Sequence, residues 1–176
     1  MSFKIKSFGF KVKGEGRKVL AVFDWENLFA NLSLPPAEKF SMAAGFDRLI
    51  REISDKVGEI VNVFIFTPPH LISSMGQDFY EQGFFIIACP KVKNKAGEIT
   101  DTTDATLIRF GERQMDQIDG LTHLCLGSGD RDFTPLIRRA RQKGLRVVVT
   151  AGSERSLASE MIKLADQIFV FSPSNE

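Results

Sequence analysis

Short runs of consecutive apolar residues alternate with longer stretches in which apolar positions recur every three or four residues, and this rhythm fills most of the chain. Residues 19–23 read Val-Leu-Ala-Val-Phe without a polar break, the pattern of a strand buried on both faces. Residues 42–57 place Phe46, Leu49, Ile50 and Ile53 on one helical face. Strand-like runs return at 60–66, 84–88, 122–126, 146–150 and 167–171, and helical spacing at 71–82, 101–117, 134–143 and 156–165. Pro35 and Pro36 mark a loop, Pro68 and Pro69 end the second strand, and residues 90–100 read as a polar, lysine-rich loop. Strands alternating with helices predict an α/β fold: a mostly parallel sheet of five to six strands, helices on both faces, right-handed crossovers. There is no internal repeat and no second domain.

The first 17 residues have a different pattern. Phe3, Ile5, Phe8, Phe10 and Val12 alternate in part with lysines, which predicts an added edge strand, a hairpin, or an arm that orders on a partner. Gly14 and Gly16 separate it from the body, 18–172, and residues 173–176 form a tail. The whole chain carries only +1, but residues 1–18 hold six basic side chains against Glu15 alone, so +5, which leaves −4 for the remainder. A basic arm on an acidic body suits a polyanionic partner, and strand pairing through the arm would give a homo-oligomer. At 43% hydrophobic the chain supports one real core. No apolar run has the length of a membrane span and the N-terminus lacks a secretory apolar segment, so the expected location is the cytoplasm, away from membranes. Cys89 and Cys125, each in an apolar run, read as buried reduced thiols.

Acidic residues mark the ends of the predicted elements. Asp24 closes the first strand of the body, with Asn27 three residues on; the pair reads as a turn with a helix cap or as two polar groups facing a central crevice. Leu124 to Phe133 runs from a strand through Ser128-Gly129 to Asp130 and Asp132 at the start of the next helix. Asp101 and Asp104 open another helix; Asp101 reads as an N-cap and Asp104 as a residue near the third helical position, or as a carboxylate projecting into the same crevice. In open α/β sheets ligands bind at the carboxyl ends of strands. Carboxylates gathered there repel one another unless a cation is present, and hard cations such as Mg²⁺ or Mn²⁺ take oxygen ligands and pair with phosphate substrates.

The segments Asp24-x-x-Asn27, Asp104-x-x-Leu107, Ser128-Gly129-Asp130-x-Asp132-Phe133-x-Pro135-Leu136, and Leu157 with Ala165-Asp166-x-Ile168-Phe169 resemble NYN domains, the LabA-like branch of the PIN-like metal-dependent ribonucleases. The likeness spans about residues 18–172. It implies a Rossmann-like three-layer sandwich and Mg²⁺- or Mn²⁺-dependent cleavage of RNA. It also implies a metal-binding core of Asp24, Asp104 and Asp130, with Asp132 and Asn27 completing or orienting it and Ser128 in support. The family's frequent Lys-Gly lead into the third acid is displaced here to Lys95 and Gly97, so the third acid is Asp101 or Asp104; Ala105-Thr106-Leu107 favours Asp104.

Lys91, Lys93 and Lys95 beside the crevice suit phosphates or a solvated loop, and Arg131 suits a phosphate or its acidic neighbours. Trp25 is the aromatic placed to stack a base. His70 is a possible acid–base group, His123 a structural residue, and Arg138, Arg139 and Arg141 a solvated helix face. A phosphatase with Asp-x-Asp after its first strand does not fit, because position 26 is Glu. The remaining alternative is a catalytically silent module that binds RNA or protein on the same fold.

Overall fold

The computed structural model describes residues 3–9, 16–29 and 39–173. In chain order these hold β1 (Phe3–Gly9), β2 (Lys18–Asp24), α1 (Trp25–Phe29), α2 (Lys39–Lys56), β3 (Glu59–Thr67), α3 (Pro69–Glu81) and β4 (Phe85–Ala88). They continue with β5 (Val92–Lys93), β6 (Ile99–Thr100), α4 (Thr103–Gln117), β7 (Leu121–Gly127), α5 (Thr134–Gln142), β8 (Arg146–Ala151), α6 (Ser159–Leu164) and β9 (Gln167–Pro173). Seven strands form one sheet in the order β1-β9-β8-β7-β2-β3-β4. All neighbours run parallel except β1, which pairs antiparallel with β9 and sets Ile5 opposite Phe171.

The strand count exceeds the expected five to six because residues 3–9 join the sheet as an edge strand. Phe10, Val12, Gly14, Pro35, Pro36 and residues 174–176 lie outside the described residues. Residues 90–100 are more than a loop: β5 and β6 form a small hairpin in which Val92 faces Thr100. The Asn94 side chain closes its turn by accepting the N–H groups of Ala96 and Glu98. The helix expected over 156–165 is shorter, because the Ser156 hydroxyl is engaged with Ser153 across a single 3₁₀ turn and α6 starts only at Ser159.

Two turns show how the sequence stops a helix and starts a strand. Gly83 and Gly144 adopt φ of 74° and 77°, a left-handed conformation that glycine enters without a Cβ penalty. After α3, Phe84 N–H reaches back to Phe79 C=O; after α5, Leu145 N–H reaches Ala140 C=O. Both are Schellman closures with an apolar residue following the glycine.

The parallel strands alternate faces. Val19, Ala21 and Phe23 of β2 point to one side, where α2 and α3 cover them with Phe46, Leu49, Ile53 and Phe79. Leu20 and Val22 point to the other, against Leu107, Met115, Leu136, Ile137 and Met161 of α4, α5 and α6. This is a three-layer α/β/α sandwich, and β2 is buried at its centre.

The strand order fixes where a site can form. From β2 the chain moves outward through β3 to β4, then returns across β2 and moves outward the other way through β7, β8 and β9. The direction reverses between β2 and β7, and adjacent crossovers diverge there to leave a crevice at the carboxyl ends of those strands. Phe23 and Gly127 are register partners across this pair, and a Cβ on Gly127 would lie 1.9 Å from the Phe23 ring. Gly127→Ala is therefore expected to lower stability by about 1–3 kcal/mol through overpacking. Urea unfolding would measure this, and an unchanged midpoint would refute it.

Candidate active site at the sheet reversal

Asp24, the last residue of β2, lies on one wall of the crevice and is only 6% exposed. Its Oδ1 accepts the Asn27 N–H at 3.1 Å, so Asp24, not Asn27, caps α1. Asn27 uses its own side chain differently. Its Oδ1 accepts the Gly129 N–H at 3.3 Å, which ties α1 to the loop after β7. Of the two, Asn27 makes the hydrogen bond across the sheet reversal.

The loop after β7 is held at every step. Ser128 is fully buried and its Oγ accepts the Asp130 N–H at 3.2 Å. Asp130 Oδ1 accepts the Asp132 N–H at 3.0 Å and so caps the 3₁₀ turn Arg131–Phe133, where Asp132 stands ahead of α5. Gly129 C=O accepts the Ala158 N–H at 3.0 Å from the chain before α6. A side chain at Gly129 would meet Ser156 C=O at 2.1 Å, so only glycine allows that approach.

The third acidic segment comes from the opposite side of β2, at the start of α4. Asp101 lies one residue before the N-cap, Thr102, and its Oδ1 accepts the Thr103 N–H at 2.9 Å. Asp104 falls at the second helical position, one earlier than expected, and makes no cap bond. Lys91 Nζ is 3.9 Å from Asp101 Oδ2. Lys93 and Lys95 are exposed on the hairpin.

The electrostatics distinguish Asp101 from Asp104. Hydrogen bonds from Thr103, helped by Lys91, hold the Asp101 carboxyl below its usual range. Asp104 is raised, first by burial and then by Asp130, Asp101 and Asp132. Asp24 rises furthest, from 3.8 to about 7; burial is the main cause, the Asn27 hydrogen bond opposes it, and Asp104, Glu26 and Asp101 add to it. Asp24 and Asp104 thus share a negative field that no local cation neutralises, whereas Asp101 has its own partners. Among the described residues no three acids, imidazoles or thiols stand close enough to chelate one ion by themselves.

Arginine flanks the acids. Arg131 and Arg155 line a cavity of about 360 Å³ together with Asn27, Gly129, Asp130 and Ser156. Arg131 also lies 4.0 Å from Asp132. Arg155 had no motif to mark it; its position just beyond β8, another strand end, was the available signal. Trp25 requires a correction. It is 3% exposed and packs edge-on against Phe46 and Phe79, with ring centres 5.4 and 4.8 Å away, so its ring is part of the core and has no free face for a base. His70 is exposed at the start of α3, and His123 is buried in β7. Both cysteines are buried and unpaired, as expected. Arg139 pairs with Asp116, and Arg141 and Arg146 pair with Asp166.

A pH dependence follows from Asp24. Between the unfolded value near 3.8 and the folded value near 7, the metal-free native chain keeps a proton that the unfolded chain has lost. Stability from this group therefore falls as pH rises through that window, by at most about 1.4 kcal/mol per unit, and levels off above it. Asp24→Asn keeps a cap acceptor and removes the ionisation, so it is expected to be more stable than the parent at pH 8 in EDTA. Equal or lower stability of the variant in urea titrations at that pH would contradict the assignment.

Comparison with known proteins agrees with this architecture. No curated protein matches the chain. Among solved structures, a protein of unknown function from Vibrio parahaemolyticus superposes with a TM-score of 0.66 at 16% identity, over 93% of this chain and 98% of that one. At that identity the likeness shows the fold. MurG from Acinetobacter baumannii aligns more weakly, with a TM-score of 0.46 and 13% identity over 85% of this chain and 40% of its own. The NYN domain profile matches residues 19–172, from β2 through β9 with all the acids between. The chain belongs to the NYN domain family, within the PIN-like superfamily of nuclease-type folds.

Proposed function

We propose that this protein is a metal-dependent endoribonuclease that hydrolyses RNA phosphodiester bonds at the β2–β7 reversal. The observation that carries this reading is the negative field shared at Asp24 and Asp104, to which Asp130 and Asp132 contribute, drawn from three segments distant in sequence. Burial and mutual repulsion hold two of these carboxyls above their ordinary range, a cost that a hard divalent cation would remove.

The residues suit Mg²⁺ or Mn²⁺ bound largely through water. Such ions keep several waters and take one or two carboxylates plus substrate phosphates, so a site need not present three converging ligands. Asp24, Asp104 and Asp130 would hold the ion, and Asp101 is the weaker candidate because Thr103 and Lys91 already engage it. When bound, the ion would activate water and stabilise the leaving oxygen of the phosphodiester.

The chain's own groups then have distinct tasks. Asn27 fixes the distance between the Asp24 and Asp130 walls through Gly129. Ser128 and the Asp132 N–H hold Asp130 in place. Arg131, and the exposed Lys91, Lys93 and Lys95 on the hairpin, would draw in the RNA backbone by its phosphates.

The decisive assay incubates the protein with single-stranded and structured RNA in Mn²⁺, Mg²⁺ or EDTA, beside Asp24→Asn and Asp130→Asn. Cleavage is expected only with metal and is expected to fall by roughly 100-fold or more in each variant, about 2.7 kcal/mol of transition-state stabilisation. RNA binding that is equal in EDTA, without cleavage under any condition, would instead indicate a binding module.

A further inference from the structure

A larger cavity, of about 670 Å³, opens at the other end of the sheet, among the amino-terminal ends of the parallel strands. Its wall includes Arg17, His123, Leu145, Arg146, Val148 and Gln167, none of which belongs to the acidic site. A volume of this order is typical of small-molecule sites. Two of its polar groups have no described use in the fold.

The first is Nε2 of the His123 ring. Thr122 Oγ1 donates its single proton to the Lys18 carbonyl at 2.9 Å and accepts the Lys18 N–H at 3.0 Å. With the Thr122 proton on that carbonyl, His123 Nδ1, 2.8 Å from the same oxygen, takes the donor role. This arrangement assigns the Nδ1–H tautomer and leaves the Nε2 lone pair of this cavity-lining residue without a described partner. His123 is 92% buried by its 8% exposure, and burial with Arg17 and Arg146 nearby favours its neutral form. The second is the Arg17 guanidinium, which has no ion-pair or hydrogen-bond partner among the described residues. The other charges are engaged: Lys143 with Asp116, and Arg146 with Asp166.

The cavity therefore offers a guanidinium without a partner among the described residues, an imidazole acceptor, the amide of Gln167, and apolar surface from Leu121, Leu145 and Val148. That set matches a phosphate joined to a flat ring with apolar faces and an N–H edge. We propose that this cavity binds a nucleoside monophosphate, with its phosphate at Arg17 and its base edge at His123 Nε2. The site is independent of the nuclease reading, since it shares no residue with the acids.

Histidine NMR tests this directly, because the chain has only two histidines and His70→Gln leaves one signal set. Long-range ¹H–¹⁵N spectra of the full chain in EDTA are expected to show the neutral Nδ1–H pattern for His123. Adding the four common nucleoside monophosphates should move the Nε2 resonance saturably for at least one of them. Inorganic phosphate and the matching nucleoside should each bind at least about tenfold more weakly, and Arg17→Gln should weaken the nucleotide by a similar factor while leaving the melting temperature unchanged. No shift with any nucleotide into the millimolar range would overturn the proposal. So would undiminished binding by Arg17→Gln, or equal binding of the nucleoside or of phosphate alone.

Discussion

The parallel pairing of β2 with β7 is the constraint on which the rest of this molecule depends. It stands at the centre of the sheet, buried on both faces, and it is where the winding of the chain reverses. The close approach of Phe23 to the bare backbone of Gly127 sets how tightly the two strands meet. Because the crossovers diverge at this pair, Asp24 and Asp130 end on opposite lips of one crevice although 106 positions separate them in the numbering. Asn27 and Gly129 then join the lips with a hydrogen bond.

The same centre makes the acids costly. Asp24 ends β2 directly after the fully buried run Val19 to Phe23 and is itself buried, so its charge is poorly solvated before any neighbour is considered. Asp104 adds to that cost from the far side of β2. A stability-optimised fold would place neutral side chains at both positions. Edge-on packing among Trp25, Phe46, Phe79 and Phe23 surrounds the strand end that carries this charge.

The two ends of the sheet differ in chemistry. The carboxyl ends carry the acids with arginines at the rim, while the amino ends carry Arg17, His123, Lys143 and Arg146 around apolar surface. Some of this division comes from structural needs: Asp166 holds Arg141, Arg146 and the Val147 N–H, and so secures the start of β8. Among the described residues the Arg17 guanidinium and His123 Nε2 have no such partner, which sets them apart from the neighbouring ion pairs.

Much of this was legible in the sequence. Apolar runs such as 19–23 and periodic stretches such as 42–57 encode burial locally, so elements and layers follow from them, and the acids stand out because they interrupt that pattern at element ends. Glycine before an apolar residue, as at Gly83 and Gly144, likewise encodes its turn within a few residues. What the sequence could not decide were matters of distance and direction between remote segments. Trp25 sits beside Asp24 in sequence yet turns inward, because α2 and α3 supply an aromatic pocket for it. Arg155 reaches the site only because Gly129 lets the chain before α6 approach. Asp101 and Asp104 are alike in sequence, and only their surroundings separate a satisfied carboxylate from a repelled one. Local periodicity determined the elements and the order of the acids; tertiary packing alone decided which side chains share a space, since burial and Coulomb coupling depend on position in three dimensions.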